Sequence, residues 1–187
     1  DILVGHDPYS STKAIAEIVF KFFFNSILKK NKKIRIATAR AGNVIGGGDW
    51  SSDRLVPDCI KAWASNKKVF IRNPNSTRPW QHVLEPLSGY IALSYYFQNN
   101  AKINGTSFNF GPKFNEVATV KKVLQISNKY WSNAQFEIYK EKFFKEDHLL
   151  KLNSYKAQKV LKWKKILSLE KTLELTMGWY NKFYQNK

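Results

Sequence analysis

The chain has one cysteine, Cys59, among its 187 residues. A single thiol excludes a disulfide within the chain, and this is the pattern expected of a protein from a reducing compartment such as the cytoplasm. Long hydrophobic runs are also missing, because the most apolar stretch, residues 18–24, is short and is interrupted by Lys21. We therefore predict neither a signal peptide nor a membrane span.

Acidic residues are scarce: 14 Asp and Glu stand against 31 Lys and Arg, which gives a formal net charge of +17. A charge of this size is found in many nucleic-acid-binding proteins, whose affinity falls steeply with salt. The lysines, however, are dispersed in runs of at most two, and zinc-ligand spacing and aromatic RNA-binding motifs are both missing. We therefore expect solvated lysine-rich faces, no nucleic-acid partner and no metal site.

Arginine is the scarcer cation, with five residues, and four of them lie within residues 40–78. Arginine offers a rigid fork that binds phosphate or carboxylate, whereas lysine serves a solvated surface well. The clustering predicts an oxyanion site, with loop-stabilising structural arginines as the alternative. The four residues are Arg40, Arg54, Arg72 and Arg78.

Helical patterns alternate with short apolar strands, which indicates an α/β fold. Apolar residues make up 43% of the chain, which is enough to form a core. Helices are predicted over residues 8–29, 55–65, 86–99, 117–131, 153–161 and 169–183. Strands are predicted over residues 34–40, 69–71, 106–110 and 136–139.

Tyr9 and Lys13 form a Tyr-x-x-x-Lys pair that helical spacing places on one face of the first helix. An ammonium beside a tyrosine favours the phenolate, which is a usable general base. A second pair, Tyr155 and Lys159, shows that this spacing is a weak signal in a lysine-rich chain. We interpret the second pair as coincidental, because a glycine-rich loop and an arginine cluster follow only the first.

Four motifs occur in order: GHDPYSSTK at residues 5–13, ARAGNVIGGGDW at 39–50, DRLVPD at 53–58 and IRNPNSTRPWQHVLEPL at 71–87. Together they resemble the extended short-chain dehydrogenase/reductase family, and the GGGDW and TRPWQH segments resemble its CDP-glucose 4,6-dehydratase branch. The resemblance implies a lyase with NAD as cofactor, CDP-glucose as substrate and a homodimeric assembly. The implied product is CDP-4-dehydro-6-deoxyglucose, a deoxysugar precursor for surface polysaccharides such as lipopolysaccharide O-antigen.

The glycine fingerprint that binds the dinucleotide in this family follows the first strand of the fold, and this chain lacks it. The resemblance therefore implies the C-terminal part of a Rossmann-type doubly wound sheet plus a small mixed α/β substrate-binding domain, with the N-terminal half missing. Residues 1–50 would be a remnant of the NAD-binding domain. Residues 51–187 would mainly bind the nucleotide-sugar, with a strand near 106–110 returning to the Rossmann sheet. We expect such a chain to begin mid-protein, to expose a large apolar face and to be inactive alone.

The resemblance also implies roles for individual residues. Tyr9 would take the proton of the C4 hydroxyl, and Lys13 would hold the nicotinamide ribose. Asn43 would bind the nucleotide-sugar, the backbone of Val44 would lie near the nicotinamide, and Arg78 would contact the diphosphate. Weaker candidates for the substrate pocket are Arg54, Arg72, Asn115 and His148.

Two other functions share these features. An epimerase or another dehydratase of the same family would use the same Tyr9 and Lys13 pair. A non-catalytic nucleotide-sugar-binding module would use the arginines alone. His82, which follows the arginine motif, suits a site residue and a hydrogen-bonded core histidine equally well.

Overall fold

The computed structural model describes residues 8–31, 33–113, 116–139 and 152–186. Its helices are α1 (Pro8–Phe23), α2 (Leu55–Ala64), α3 (Leu84–Asn99), α4 (Val120–Ser127), α5 (Tyr155–Leu161) and α6 (Leu169–Gln185). Its strands are β1 (Ala37–Ala41), β2 (Asn43–Ile45), β3 (Val69–Ile71), β4 (Thr77–Arg78), β5 (Trp80–His82), β6 (Thr106–Phe110), β7 (Ala118–Thr119) and β8 (Phe136–Ile138). A π-helical turn, Phe24–Leu28, continues α1.

Parallel pairing joins strands that lie far apart in the chain. β1 pairs with β6, β2 with β5 and β3 with β8, all in parallel, while β4 and β7 pair antiparallel. Each parallel pair is connected by a segment that contains at least one helix, as crossover connections require. This pairing is that of an α/β protein.

Two apolar clusters fill the interior of the described chain. The first lies among α2, α4 and α6, where Trp63, Leu124 and Met177 are at most 1% exposed. The second lies between β6, α3 and α5 and contains Phe108 and Leu161. α2, α4 and α6 each bury the apolar side of an amphipathic surface, so packing stabilises them.

α1 contrasts with these helices, because its apolar residues face outward. Ile15, Ile18 and Phe22 are 53–62% exposed, and on α3 Leu87 and Ile91 are 45% and 72% exposed. Among the described residues β1 pairs with β6 alone, so its other edge carries no partner strand there. The large exposed apolar face expected from the sequence is confirmed.

Two predicted elements are shorter than expected. The strand predicted over residues 34–40 begins three residues later, with β1. Asn31 Oδ1 accepts hydrogen bonds from the backbone N–H groups of residues 33 and 34, and Asn104 Oδ1 accepts one from Ile36 N. Side chains accept the hydrogen bonds of these backbone N–H groups, while Ile36 O accepts one from Gly105 N over 2.8 Å, just before the β1–β6 pairing begins.

The helix predicted over residues 117–131 is confined to α4. Ala118 and Thr119 instead pair with β4 as β7, and Val120 N donates to Ser76 O over 3.0 Å. Thr119 also caps α4, since its hydroxyl accepts from Lys122 N at 3.1 Å. Long-range pairing thus overrides helix propensity at the start of this segment.

No helix in the described part of the chain combines the length and the apolar character needed to cross a bilayer.

Candidate active site

Tyr9 and Lys13 lie on one face of α1, in its first two turns. Lys13 Nζ lies 5.5 Å from the centroid of the Tyr9 ring. Tyr9 is 68% exposed, and Thr12 Oγ1 donates to its backbone oxygen over 2.8 Å. The tyrosine ring and the ammonium are therefore neighbours, and both side chains are accessible to a ligand that approaches this face.

The second pair has nearly the same local geometry. On α5, Lys159 Nζ lies 6.0 Å from the centroid of the Tyr155 ring, and Tyr155 is 62% exposed. Local geometry therefore does not distinguish the two pairs. Their position in the fold distinguishes them, because α1 is followed by β1 and then by β2, which begins at Asn43.

Asn43 and Arg78 flank a close contact between two chain segments. The β2–β5 register sets Asn43 opposite Trp80. A Cβ at Gly42 would lie 2.8 Å from Pro79 O and 2.9 Å from Pro79 Cγ, so only glycine fits there without displacing the neighbouring chain. The contact places Asn43 beside the segment that carries Arg78. These two predicted substrate-binding residues therefore lie in the same region of the fold.

Arg78 has a fixed backbone position, because β4 is paired. It lies opposite Ala118 of β7, is half-buried, and donates from Nη1 to Thr77 O over 3.0 Å. Trp80 Nε1 donates to Ala118 O over 3.0 Å and ties the adjacent strand β5 to the same partner. A guanidinium held in this way suits bidentate contact with a phosphate.

The other arginines of the cluster have different surroundings. Arg40 lies on β1, where its Nε is 3.7 Å from Glu17 Oε1, which is a structural setting. Arg54 precedes α2 and is exposed. The backbone and side chain of Ser51, together with the charge of Arg54, lower the pKa of the Asp49 carboxyl. Arg72 follows β3 and is exposed, and its predicted role stays a prediction.

The glycine run after β2 serves packing. A Cβ at Gly46 would lie 2.8 Å from Val83 Cγ1, and a Cβ at Gly47 would collide with the indole of Trp179. Tyr180 OH, on the same helix as Trp179, donates to Asp49 O over 2.6 Å. Because the run is packed against side chains in this way, it does not fit a cradle for the phosphates of a dinucleotide.

His82 lies in the core. It is 8% exposed, and its Nδ1 accepts a hydrogen bond from Leu84 N over 3.3 Å. Burial lowers the pKa of His82, and the nearby Glu85 carboxylate opposes this shift only in part. The sequence left two interpretations of His82 open, a site residue and a hydrogen-bonded core histidine, and the structure favours the second.

A cavity of about 660 Å³ lies between residues 116–119 and residues 165–169, and its lining includes Ala118, which is opposite Arg78 in the β4–β7 register. Its described lining includes none of the predicted site residues, so cavity size does not locate the site. Asn115 and His148 lie outside the described residues, and their roles stay predictions.

Sequence reasoning missed Glu17. This residue is 7% exposed, and its Oε2 accepts hydrogen bonds from Thr38 Oγ1 at 3.1 Å and Ser107 Oγ at 2.8 Å. A usable signal was present in the sequence, because Tyr9, Lys13 and Glu17 recur at intervals of four residues.

Known proteins supply the context for this geometry. No family model matches the chain. Over 181 residues the chain is 40% identical to the CDP-glucose 4,6-dehydratase of Salmonella typhimurium. The chain matches the C-terminal half of a CDP-glucose 4,6-dehydratase. The match covers 94% of this chain and 50% of the relative, so the chain spans about half the length of the curated relative it matches.

Solved structures show the same fold. The chain is similar to the UDP-glucuronic acid 4-epimerase of Bacillus cereus, solved with UDP-glucuronic acid and NAD, with a TM-score of 0.79 at 21% identity over 97% of this chain and 55% of that one. It is also similar to the dTDP-glucose 4,6-dehydratase of Bacillus anthracis, solved with NAD, with a TM-score of 0.79 at 20% identity over 98% of this chain and 55% of that one. The predicted fold, part of a Rossmann-type doubly wound sheet plus a small mixed α/β domain, is confirmed.

Proposed function

We propose that the protein to which this chain belongs catalyses the NAD-dependent dehydration of CDP-glucose to CDP-4-dehydro-6-deoxyglucose and water. The observation that carries the proposal is the 40% identity to a CDP-glucose 4,6-dehydratase along 94% of this chain. The adjacent Tyr9 and Lys13 side chains and the shared locality of Asn43 and Arg78 support it.

In this proposal the chain's own residues carry out binding and proton transfer. Arg78 holds the diphosphate, which its fixed strand position and planar fork suit. Asn43 binds the nucleotide-sugar next to it, and Arg54 and Arg72 border the same pocket. Tyr9 accepts the proton of the C4 hydroxyl, and oxidation at C4 then acidifies the C5 proton so that water is lost across C5 and C6.

Among the described residues, Lys13 and Val44 fit the nicotinamide end of NAD. Lys13 is exposed beside Tyr9 and would hold the nicotinamide ribose, while Val44, 37% exposed, would present its backbone nearby. NAD supplies a reversible hydride acceptor when bound. The packed Gly46–Gly48 run does not serve its phosphates, so we propose that the N-terminal half of the protein carries the dinucleotide fingerprint.

An isotope experiment on the full-length protein separates the candidate reactions. CDP-glucose that carries deuterium at C4 is incubated with the enzyme, and the product is examined by NMR. A dehydratase moves the label to the new methyl group at C6, because the hydride removed from C4 is returned to C6. Label that stays at C4 of an inverted sugar would show an epimerase instead. Binding of CDP-glucose without any product would show a non-catalytic binding module.

We also propose partners and a setting for the full-length protein. The exposed apolar residues of α1 and α3 would be covered by the N-terminal half and by a second subunit of a homodimer. The product would enter deoxysugar synthesis for surface polysaccharides such as O-antigen, and the lone cysteine fits a cytoplasmic location. Analytical ultracentrifugation tests the assembly, since a monomeric full-length protein would contradict the dimer.

A further inference from the structure

α1 is held on the sheet in an unusual way. Glu17 is the one buried residue of this helix, which lies entirely within the described residues, while Ile15, Ile18 and Phe22 are more than half exposed. Charged side chains are rarely buried unless they are paired, and apolar ones normally fill buried positions. The helix therefore contacts the sheet through a carboxylate where most helices use an apolar stripe.

The contacts of Glu17 span both strands of the β1–β6 pair. Oε2 accepts from Thr38 Oγ1 at 3.1 Å and from Ser107 Oγ at 2.8 Å, and Thr38 and Ser107 are opposite each other in the register. Oε1 lies 3.7 Å from Arg40 Nε, two residues further along β1. Hydrogen bonds to an ionised acceptor are stronger and more directional than neutral ones. Three groups thus define the position of this one carboxylate.

This anchor lies on the same side of the helix as the predicted catalytic pair. Lys13 precedes Glu17 by four residues and Tyr9 precedes it by eight. With a rise of about 1.5 Å and a turn of about 100° per residue, Lys13 lies about 6 Å and Tyr9 about 12 Å along the axis, on adjoining turns. A rotation or a slide of α1 at Glu17 is therefore transmitted directly to both side chains.

We propose that Glu17 is a positioning residue: its carboxylate, held by Thr38, Ser107 and Arg40, fixes the rotation and axial position of α1 and so places Tyr9 and Lys13. The proposal rests on the proposed function for its catalytic consequence. The anchoring of α1 by Glu17 does not depend on the proposed function. The anchoring and its effect on catalysis can therefore be measured separately.

The test uses the full-length protein and the variants Glu17→Ala, Glu17→Gln and Ser107→Ala. Amide hydrogen exchange of the peptide that spans α1 reports the anchoring without any substrate. We expect faster exchange in Glu17→Ala than in wild type, with smaller effects in the other two variants. Glu17→Gln keeps one acceptor oxygen, and Ser107→Ala removes only the 2.8 Å bond and is the variant to use if Glu17→Ala does not fold. The matched control is Glu174→Gln, which removes a surface ion pair with Lys171 on α6.

Turnover of CDP-glucose then tests the placement of the pair. A displacement of about 1 Å at a reacting group costs about 100-fold, so kcat of Glu17→Ala should fall by about that factor while KM changes little. The acidic limb of the kcat–pH profile should also move, because the distance from Tyr9 to the substrate and the distance from Lys13 to the substrate both change. A merely structural residue would lower the amount of folded enzyme and leave the profile in place.

The outcomes are distinct. Unchanged exchange across α1 in Glu17→Ala and Ser107→Ala overturns the anchor. Faster exchange with wild-type kcat and pH profile overturns the positioning role. If wild-type protein turns over no nucleotide-sugar, the proposed function fails, and the exchange data still decide whether Glu17 anchors α1.

Discussion

The substitution Gly42→Ala tests whether Asn43 and Arg78 belong to one binding site. The added Cβ would lie 2.9 Å from Pro79 Cγ and 2.8 Å from Pro79 O. Carbon atoms pack at about 3.5 Å or more, so the segments around Asn43 and Arg78 must separate by about 0.6 Å. Overpacking of this kind costs about 1–3 kcal/mol.

The effect should be visible in ligand affinity. A free-energy cost of about 1.4 kcal/mol is a factor of ten, so Kd for CDP-glucose should rise by about tenfold, and by at most about 150-fold if a cost of about 3 kcal/mol falls entirely on binding. Isothermal titration of the full-length protein measures this Kd, and thermal unfolding measures the accompanying loss of stability.

The matched control is Gly178→Ala. A Cβ at Gly178, in the interior of α6, meets nothing within 4 Å. Alanine is favoured over glycine inside a helix by about 1 kcal/mol, so this variant should be slightly more stable and should bind CDP-glucose normally. Wild-type affinity in Gly42→Ala would refute the idea that the Gly42 contact joins two parts of one site.

Three further predictions concern single residues. In the full-length enzyme Tyr9→Phe should lower kcat by about 10²–10⁴-fold, the usual contribution of a general base, whereas Tyr155→Phe should retain full activity; equal losses would contradict the choice between the two pairs. Because burial lowers the pKa of His82 below 6.5, the neutral form contributes stability that is complete above pH 6.5 and is lost as the pH falls through the folded-state pKa; melting temperatures recorded between pH 7 and 5 should therefore fall less steeply in His82→Asn than in wild type. Burial raises the pKa of Cys59 to about 12, with a smaller contribution from Asp58, so a thiol reagent should label Cys59 only as fast as the protein unfolds; rapid labelling of native protein would contradict this burial.

Local sequence patterns predicted several elements well. The helix expected over residues 55–65 is α2, Leu55–Ala64, and the strand expected over residues 106–110 is β6. In both cases apolar spacing and flanking breakers carry the information, and the packed element follows it. The four motifs, in order, also predicted the fold that the solved structures confirm.

Four of the short strands were not predicted, although β3 and β8, of three residues each, were. β2, β4, β5 and β7 have two or three residues each, and all are held by pairing to distant segments. Two or three residues carry no periodicity, so their strand state is a property of the tertiary structure.

The site likewise has features that local sequence predicted and features that depend on long-range pairing. The spacing of Tyr9 and Lys13 was enough to predict their shared face. That Asn43 and Arg78 share one locality follows from the β2–β5 pairing, which the sequence did not indicate. The burial of Glu17 depends on the polar face of the β1–β6 pair beneath it, since a glutamate on an apolar helix usually faces solvent.

The most direct test of the proposed function is the ratio of kcat/KM values of the full-length protein for CDP-glucose, dTDP-glucose and GDP-mannose, with the 4-keto product measured in each case. We predict that CDP-glucose is converted to CDP-4-dehydro-6-deoxyglucose with a kcat/KM well above the other two. A higher kcat/KM for either other nucleotide-sugar, or no 4-keto product from CDP-glucose, would contradict it.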